Sequence, residues 1–175
     1  MAMKVIDKYS QVKGVTVYKM NEGQPESFPC VVGAEVTLPQ ITHPSATIQS
    51  MGDMEIPDQT RINSMTTSIS CELSIIQSKL LGFGVQEYML RWAQEKKNPD
   101  GTFSLVPFVA YISGIPAEDV GATINVGDVP SGTVSINTFK FRLLENNTEI
   151  RYVDKRNGIL IINGIDYRNE LNNML

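Results

Sequence analysis

Ser68-Ile-Ser-Cys-Glu-Leu-Ser-Ile75 carries the clearest periodicity in the chain. Ile69, Cys71, Leu73 and Ile75 take every second position, and Ser68, Ser70, Glu72 and Ser74 fill the gaps. Successive side chains on a strand point to opposite faces, so this alternation predicts a β-strand with one buried and one wet face.

Working outward, strand signals dominate. Val12 to Met20 reads as a strand broken by Asn21-Glu-Gly-Gln-Pro25, and Cys30 to Leu38 as a second one ending at Pro39. Phe103 to Ser113 is apolar on both parities, which predicts a strand covered on both faces. In Thr133 to Leu144 the apolar phase shifts: Val134 and Ile136 are even, Phe139, Phe141 and Leu143 odd. One inserted residue near Asn137-Thr138, a β-bulge, restores a single apolar face. Asn146-Asn147 reads as a two-residue hairpin turn, because Asn tolerates the positive φ such turns need. Thr148 to Asp154 returns from it, and Gly158 to Ile162 adds a strand closed by Asn163-Gly164.

Two helices are expected. Val85, Tyr88, Met89 and Trp92 recur at three- and four-residue steps, which predicts a helix over Gln86 to Lys96 with Trp92 anchoring it to a sheet. Asp166 to Leu175 reads as a short last helix with Asp166 as its N-cap. The expected fold is mainly β, with about eight strands and one proper central helix.

The chain has 175 residues, and no linker or repeat divides it, so one domain over 1–175 is expected. Its net charge of −4 argues against a protein that grips phosphates. No basic-then-apolar leader opens the sequence, and the longest apolar run, Leu105 to Ile112, contains Pro107. A membrane helix needs roughly 18 apolar residues, so neither secretion nor membrane insertion is expected.

Chemistry motifs fail one by one. The lone His43 precedes Pro44 with no orienting partner or nucleophile in a recognisable pattern. Gly82-Phe-Gly84 lacks the Lys-Ser/Thr of a phosphate loop. Asp53/Glu55 and Glu118/Asp119 lack the spacing of a calcium loop. Cys30 and Cys71 form no CxxC, and they read as reduced, packed thiols. No catalytic residue, metal or cofactor is expected.

Charge is distributed in blocks: +3 over Met1 to Lys19, −6 over Met20 to Thr60, +2 over Lys140 to Arg156. Complementary patches of this kind guide docking between copies of a chain, and salt screens them. Gln40 to Asn63 is a 24-residue connection rich in Ile and Met. Structureless loops beyond about 12–15 residues are uncommon unless functional or disordered, and this one is too apolar for disorder. Contact between stacked copies is expected, with folding back onto its own domain as the alternative.

The order of segments resembles the major tail tube protein family of contractile-tailed bacteriophages and the related contractile bacteriocins (tailocins). The likeness rests on Val36-Thr-Leu-Pro39 followed by Ile41-Thr42, and on the order strand, single helix, two long strands. It rests most on Glu149-Ile-Arg-Tyr-Val-Asp154 leading to Ile162-Asn-Gly-Ile-Asp166 and a polar tail ending in Leu175. The Gly23-Gln-Pro25 loop and the Gly114 to Gly132 connection depart from the family's pattern.

The resemblance implies a β-sandwich or barrel whose long hairpins join between subunits. Six-membered rings would stack into a hollow conduit inside a tail sheath protein. The channel would hold a tape measure protein and pass DNA without specific binding, or the tube would puncture a membrane. Baseplate and tail-terminator proteins would meet its ends. The monomer would not enter a membrane; it would be a component of a virion or phage-tail-like particle, assembled in the bacterial host cytoplasm. Within that frame Ser68, Ser70, Glu72 and Ser74 are the channel-facing candidates, and Ile41, Ile48, Met51, Met54 and Ile56 the contacts between rings. A type VI secretion-like tube protein shares the implied fold. A carbohydrate- or receptor-binding β-sandwich would need more aromatics than 7 % supplies.

Overall fold

β10 (Ser131–Glu145) organises the chain, which is described here by a computed structural model over residues 8–26, 29–49, 51–118, 120–121 and 123–174. The strands before it are β1 (Lys8–Asn21), β2 (Gln24–Pro25), β3 (Val31–Val32), β4 (Glu35–Thr37), β5 (Ser45–Gln49), β6 (Asp53–Pro57), β7 (Met65–Glu72), β8 (Gln86–Lys97) and β9 (Phe103–Pro116). After it come β11 (Thr148–Asp154), β12 (Ile159–Ile162) and β13 (Ile165–Asp166). The main sheet runs β13-β12-β11-β10-β9-β8-β1-β2, all antiparallel.

One edge of β10 carries two partners in succession. Ser131 to Thr138 pairs with β7, and Lys140 to Glu145 pairs with β11. The change of partner falls at Phe139, where the β9 register also slips between Thr138 and Lys140. This is the expected bulge. It turns Val134 and Ile136 before it, and Phe141 after it, onto the same buried face. Gly114 of β9 sits opposite: a Cβ there would meet the Asn137 carbonyl oxygen at 2.5 Å, so only glycine fits.

The apolar face of β1, β8, β9 and β10 packs against β3, β4, β7 and a short helical segment. Val17, Val31, Ile69, Leu73, Ile76, Leu80, Tyr88, Leu90, Ile112, Val134 and Phe141 form this core. β3 pairs β1 and β4 pairs β7, but Gly33, at φ +78°, kinks the chain between them. The expected strand from Cys30 to Leu38 is therefore two short pieces. The sheet is not closed into a barrel, and the mainly β reading stands without that closure.

The central helix lies in a different place from the one expected. Gln86–Lys97 is a strand, hydrogen-bonded to β1 on one edge and β9 on the other. Its residues satisfy both periods: Tyr88, Leu90 and Trp92 alternate as well as Val85, Tyr88 and Met89 recur helically. Tertiary pairing on both edges overrides the helix propensity of Gln, Glu, Met and Lys. The helical segment instead follows β7, as a turn over Leu73–Ile75 continued by a π-helical turn over Ile76–Leu80. Leu73, Ile76 and Leu80 are buried at helical spacing, so the alternation from Ser68 ends at Glu72. The buried Tyr88 hydroxyl donates to the Leu80 carbonyl and fixes the end of this segment on β8. Burial pushes that phenol's pKa up.

Trp92 is half-buried at the margin of the core and stacks on Phe108, ring centroids 5.3 Å apart and planes 6° from parallel. It packs against the core from a strand, where a helix was expected. β9 is covered on both faces only around Ile112 and Ser113, and Ile115 beyond them is exposed. Ala110, Ile112 and Ser113 are buried, but Phe103 and Leu105 are 60 % and 61 % exposed. The turns match expectation: Asn146 and Asn147 sit at φ +46° and +63°, Asn163 and Gly164 at +51° and +80°. The last helix, Asn169–Met174, starts later than expected, and the Asp166 carboxylate accepts from the Arg168 amide ahead of it.

Candidate assembly interface

Two surfaces stand out, one on the main sheet and one off it. On the sheet, cross-strand pairing puts Ser68 opposite Ser135, Ser70 opposite Thr133 and Glu72 opposite Ser131. Residues directly opposite each other share a face, so these side chains make a band of hydroxyls with the Glu72 carboxylate at one end and Glu35 of β4 beside Ser70. Ser70 and Thr133 share a hydrogen bond of 2.7 Å between their hydroxyls. Ser74 leaves the band, because the backbone is helical there, and donates to Glu72 Oε1 at 2.6 Å. On the other side of this strand Ile69 is buried and Cys71 half-buried, as one wet and one dry face require.

Beyond the bulge the same wet face continues with different chemistry. Lys140, Arg142, Glu149, Tyr111, Tyr152 and Glu87 line a shallow hollow of about 590 Å³. Arg142 Nε lies 2.5 Å from Glu149 Oε2, and its guanidinium sits over the Tyr152 ring. Ser113 Oγ donates to Glu87 Oε1 at 3.1 Å. Cations on this half stand among carboxylates, and the serine band has none.

Off the sheet, β5 and β6 form a separate two-stranded hairpin, every described residue of which is exposed. Register pairs Ile48 with Met54 and Ala46 with Ile56, so one face is apolar. Thr47, Glu55, Gln49 and Asp53 pair on the other face. Met51 stands at the tip, fully exposed. Ile41 lies apart from these: with Ile62 it packs against Met65, Val153 and Leu160 at the hairpin's root. The root is closed by hydrogen bonds from the Asn63 amide to the Thr42 carbonyl (2.9 Å) and from the Asp58 amide to the Pro44 carbonyl (2.7 Å). The 24-residue connection is thus a built element; alternation at Ala46, Ile48, Met54 and Ile56 was the signal for it.

No group of three or more metal-binding side chains occurs among the described residues. His43 lies 2.6 Å from the Arg61 carbonyl through Nδ1, which ties it to the hairpin root. Asp53 and Glu55 flank the hairpin's polar face; Asp119 and residues 1–7 lie outside the described residues. Burial raises the pKa of Cys30 and of Cys71, the opposite of an activated thiol. The basic block near the C-terminus is largely engaged inside the chain. Arg142 holds Glu149, Lys155 Nζ donates to the Asn63 carbonyl at 3.1 Å, and Arg156 stacks over Phe139 at 3.8 Å.

Long paired strands and, among the described residues, an amphipathic hairpin with nothing on its apolar face are the features that mark this surface. Residues 27–175 match the phage tail tube protein FII family, and the chain belongs to that family. It is a structural subunit of a phage tail tube, a virion component that self-assembles into tubes and associates with other tail components. No curated protein matches the chain.

Proposed function

We propose that the protein builds the inner tube of a contractile tail, as six-membered rings stacked inside a sheath. One observation carries the stacking: the β5–β6 hairpin is an amphipathic two-stranded sheet whose apolar face is left bare by the described residues of its own domain. An isolated hairpin is marginal in water, and a second copy laid on that face supplies the missing cover. The wet face of β7 and β10 then forms the channel wall, with Ser68, Ser70 and Glu72 toward the lumen. A band of small hydroxyls gives phosphates no cation to hold, and Arg142 is already paired beside it. Such a wall passes DNA or houses a tape measure protein without gripping either.

Electron microscopy of the purified protein tests this against a variant in which a short Gly/Ser turn replaces Ser45 to Pro57. Pro44 and Asp58 are already hydrogen-bonded, so the shortened root can close. Wild-type tubes, and soluble subunits or single rings from the variant, are expected. Normal-length tubes from the variant would refute stacking through the hairpin.

A further inference from the structure

The hairpin needs a receptor, and the strand registers say on which side of the molecule to look. β7 runs from Met65, opposite Thr138, down to Glu72, opposite Ser131. β4 is antiparallel to β7 and ends at Thr37, opposite Ser68. Both limbs of the hairpin segment therefore leave the sheet toward the Glu145 end of β10. Their first contacts agree, since Ile41 and Ile62 meet Val153, which pairs with Phe141 further along that direction. Five residues per strand at about 3.3 Å each carry the hairpin roughly 17 Å beyond its root.

Connections leaving toward the Ser131 end hold the second bare apolar set. Phe83 precedes β8 and is fully exposed; Ile124 and Val126, between β9 and β10, are 77 % and 108 % exposed. Leu81, Phe83, Pro116, Ala117 and Glu118 line a hollow of about 520 Å³ there. The hairpin's acids, Asp53 and Glu55, lie on its polar face, so its apolar face brings no carboxylate of its own into the contact.

Two different apolar patches that leave one molecule in opposite directions can satisfy each other only between copies. A contact of this heterologous kind repeats without closing, as a growing tube requires. We propose that the apolar face of β5–β6 in one copy docks on the Phe83–Ala117 hollow and the Val126 loop of a copy in the next ring. This rests on the ring-stacking reading above and names the surface that receives the hairpin.

Disulfide trapping tests it. Met51→Cys and Phe83→Cys proteins are mixed, assembled and oxidised, with the wild type as control for Cys30 and Cys71. A mixed dimer is expected from assembled tubes, and none from either variant alone. Phe83→Asp should melt like wild type yet stop at single rings, a loss of tubes without a loss of fold. Homodimers from Met51→Cys alone, no mixed dimer from intact tubes, or wild-type-length tubes from Phe83→Asp would each overturn the contact. Wild-type protein that forms no tubes would overturn the stacking reading and this contact together.

Discussion

β10–β11 and β5–β6 are both antiparallel hairpins with alternating side chains, and they meet opposite fates. In β10–β11 one face, with Phe141 and Val153, is sealed in the protein's own core, while Arg142, Glu149 and Tyr152 meet solvent. In β5–β6 the equivalent apolar row, Ala46, Ile48, Met54 and Ile56, is uncovered. Alternation is thus a demand for cover that leaves open who supplies it. The first hairpin's cover comes from the same chain and stabilises the fold; the described residues supply none to the second, whose cover, on the stacking proposed above, comes from a neighbouring copy.

The largest effect separates these roles directly. Phe141→Ala removes a ring that is 1 % exposed, and the subunit should lose about 3–5 kcal/mol. Ile48→Ala should change subunit stability by less than about 0.5 kcal/mol. Urea unfolding of the unassembled subunits checks both, and equal losses would erase the distinction between the hairpins. Tube yield should respond in the opposite order per unit of stability lost, with Ile48→Ala impairing assembly of a fully folded subunit.

A smaller effect sharpens the picture of how the sealed hairpin is held. Asp154, at the end of β11, is buried and accepts hydrogen bonds from the Arg156 amide (3.0 Å), the Asn157 amide (3.1 Å) and Asn157 Nδ2 (2.8 Å). Its side chain shapes the turn into β12 and so positions Leu160 against Val153. Asp154→Ala should cost about 1–3 kcal/mol, because the turn loses a buried charged acceptor that serves three donors. Asp154→Asn keeps one carbonyl acceptor and should cost less. Indistinguishable denaturation midpoints for the two variants would show that the turn does not depend on this side chain.

How much of this was legible in the sequence depended on how local the cause was. The Asn146-Asn147 and Asn163-Gly164 turns follow from backbone preferences of two residues, and the bulge near Phe139 from a visible change of phase. Ser68, Ser70 and Glu72 were readable as one face for the same reason. Gln86 to Lys97 was not, since its side chains suit helix and strand alike and only pairing with β1 and β9 decides. Ser74 was misplaced because Leu73 starts a helical spacing, Leu73, Ile76, Leu80, that overlaps the end of the alternation. The Asp154 and Asp166 positions that support the family resemblance act here as turn-forming carboxylates. In Gln40 to Asn63 the length and apolar content showed that cover was needed, but the separation of Ile41 at the root from Ile48 and Met54 on the arm needed the fold.

The smallest effect concerns the root of the uncovered hairpin and sets it apart from the sealed one by pH. Asp58 Oδ1 accepts from the Thr60 hydroxyl at 2.6 Å and the Thr60 amide at 3.0 Å. These bonds hold the carboxyl below its ordinary value of 3.8, with the nearby Arg61 and His43 charges acting in the same direction. The folded pKa is depressed, so the contribution is present above the unfolded value and lost as pH falls through the folded one. The carboxylate lies at the surface, and the effect belongs to the root rather than to the whole subunit. Amide exchange at Thr60 and protease cleavage within residues 45–57 should therefore accelerate as the pH falls below about 4, beyond the intrinsic pH dependence of each reaction. Asp58→Asn should remove that added acceleration, and Phe141-side amides of β10 should stay protected throughout. Loss of protection in β10 over the same pH range would mean that the two hairpins open as one unit, the sealed one held no more firmly than the uncovered one.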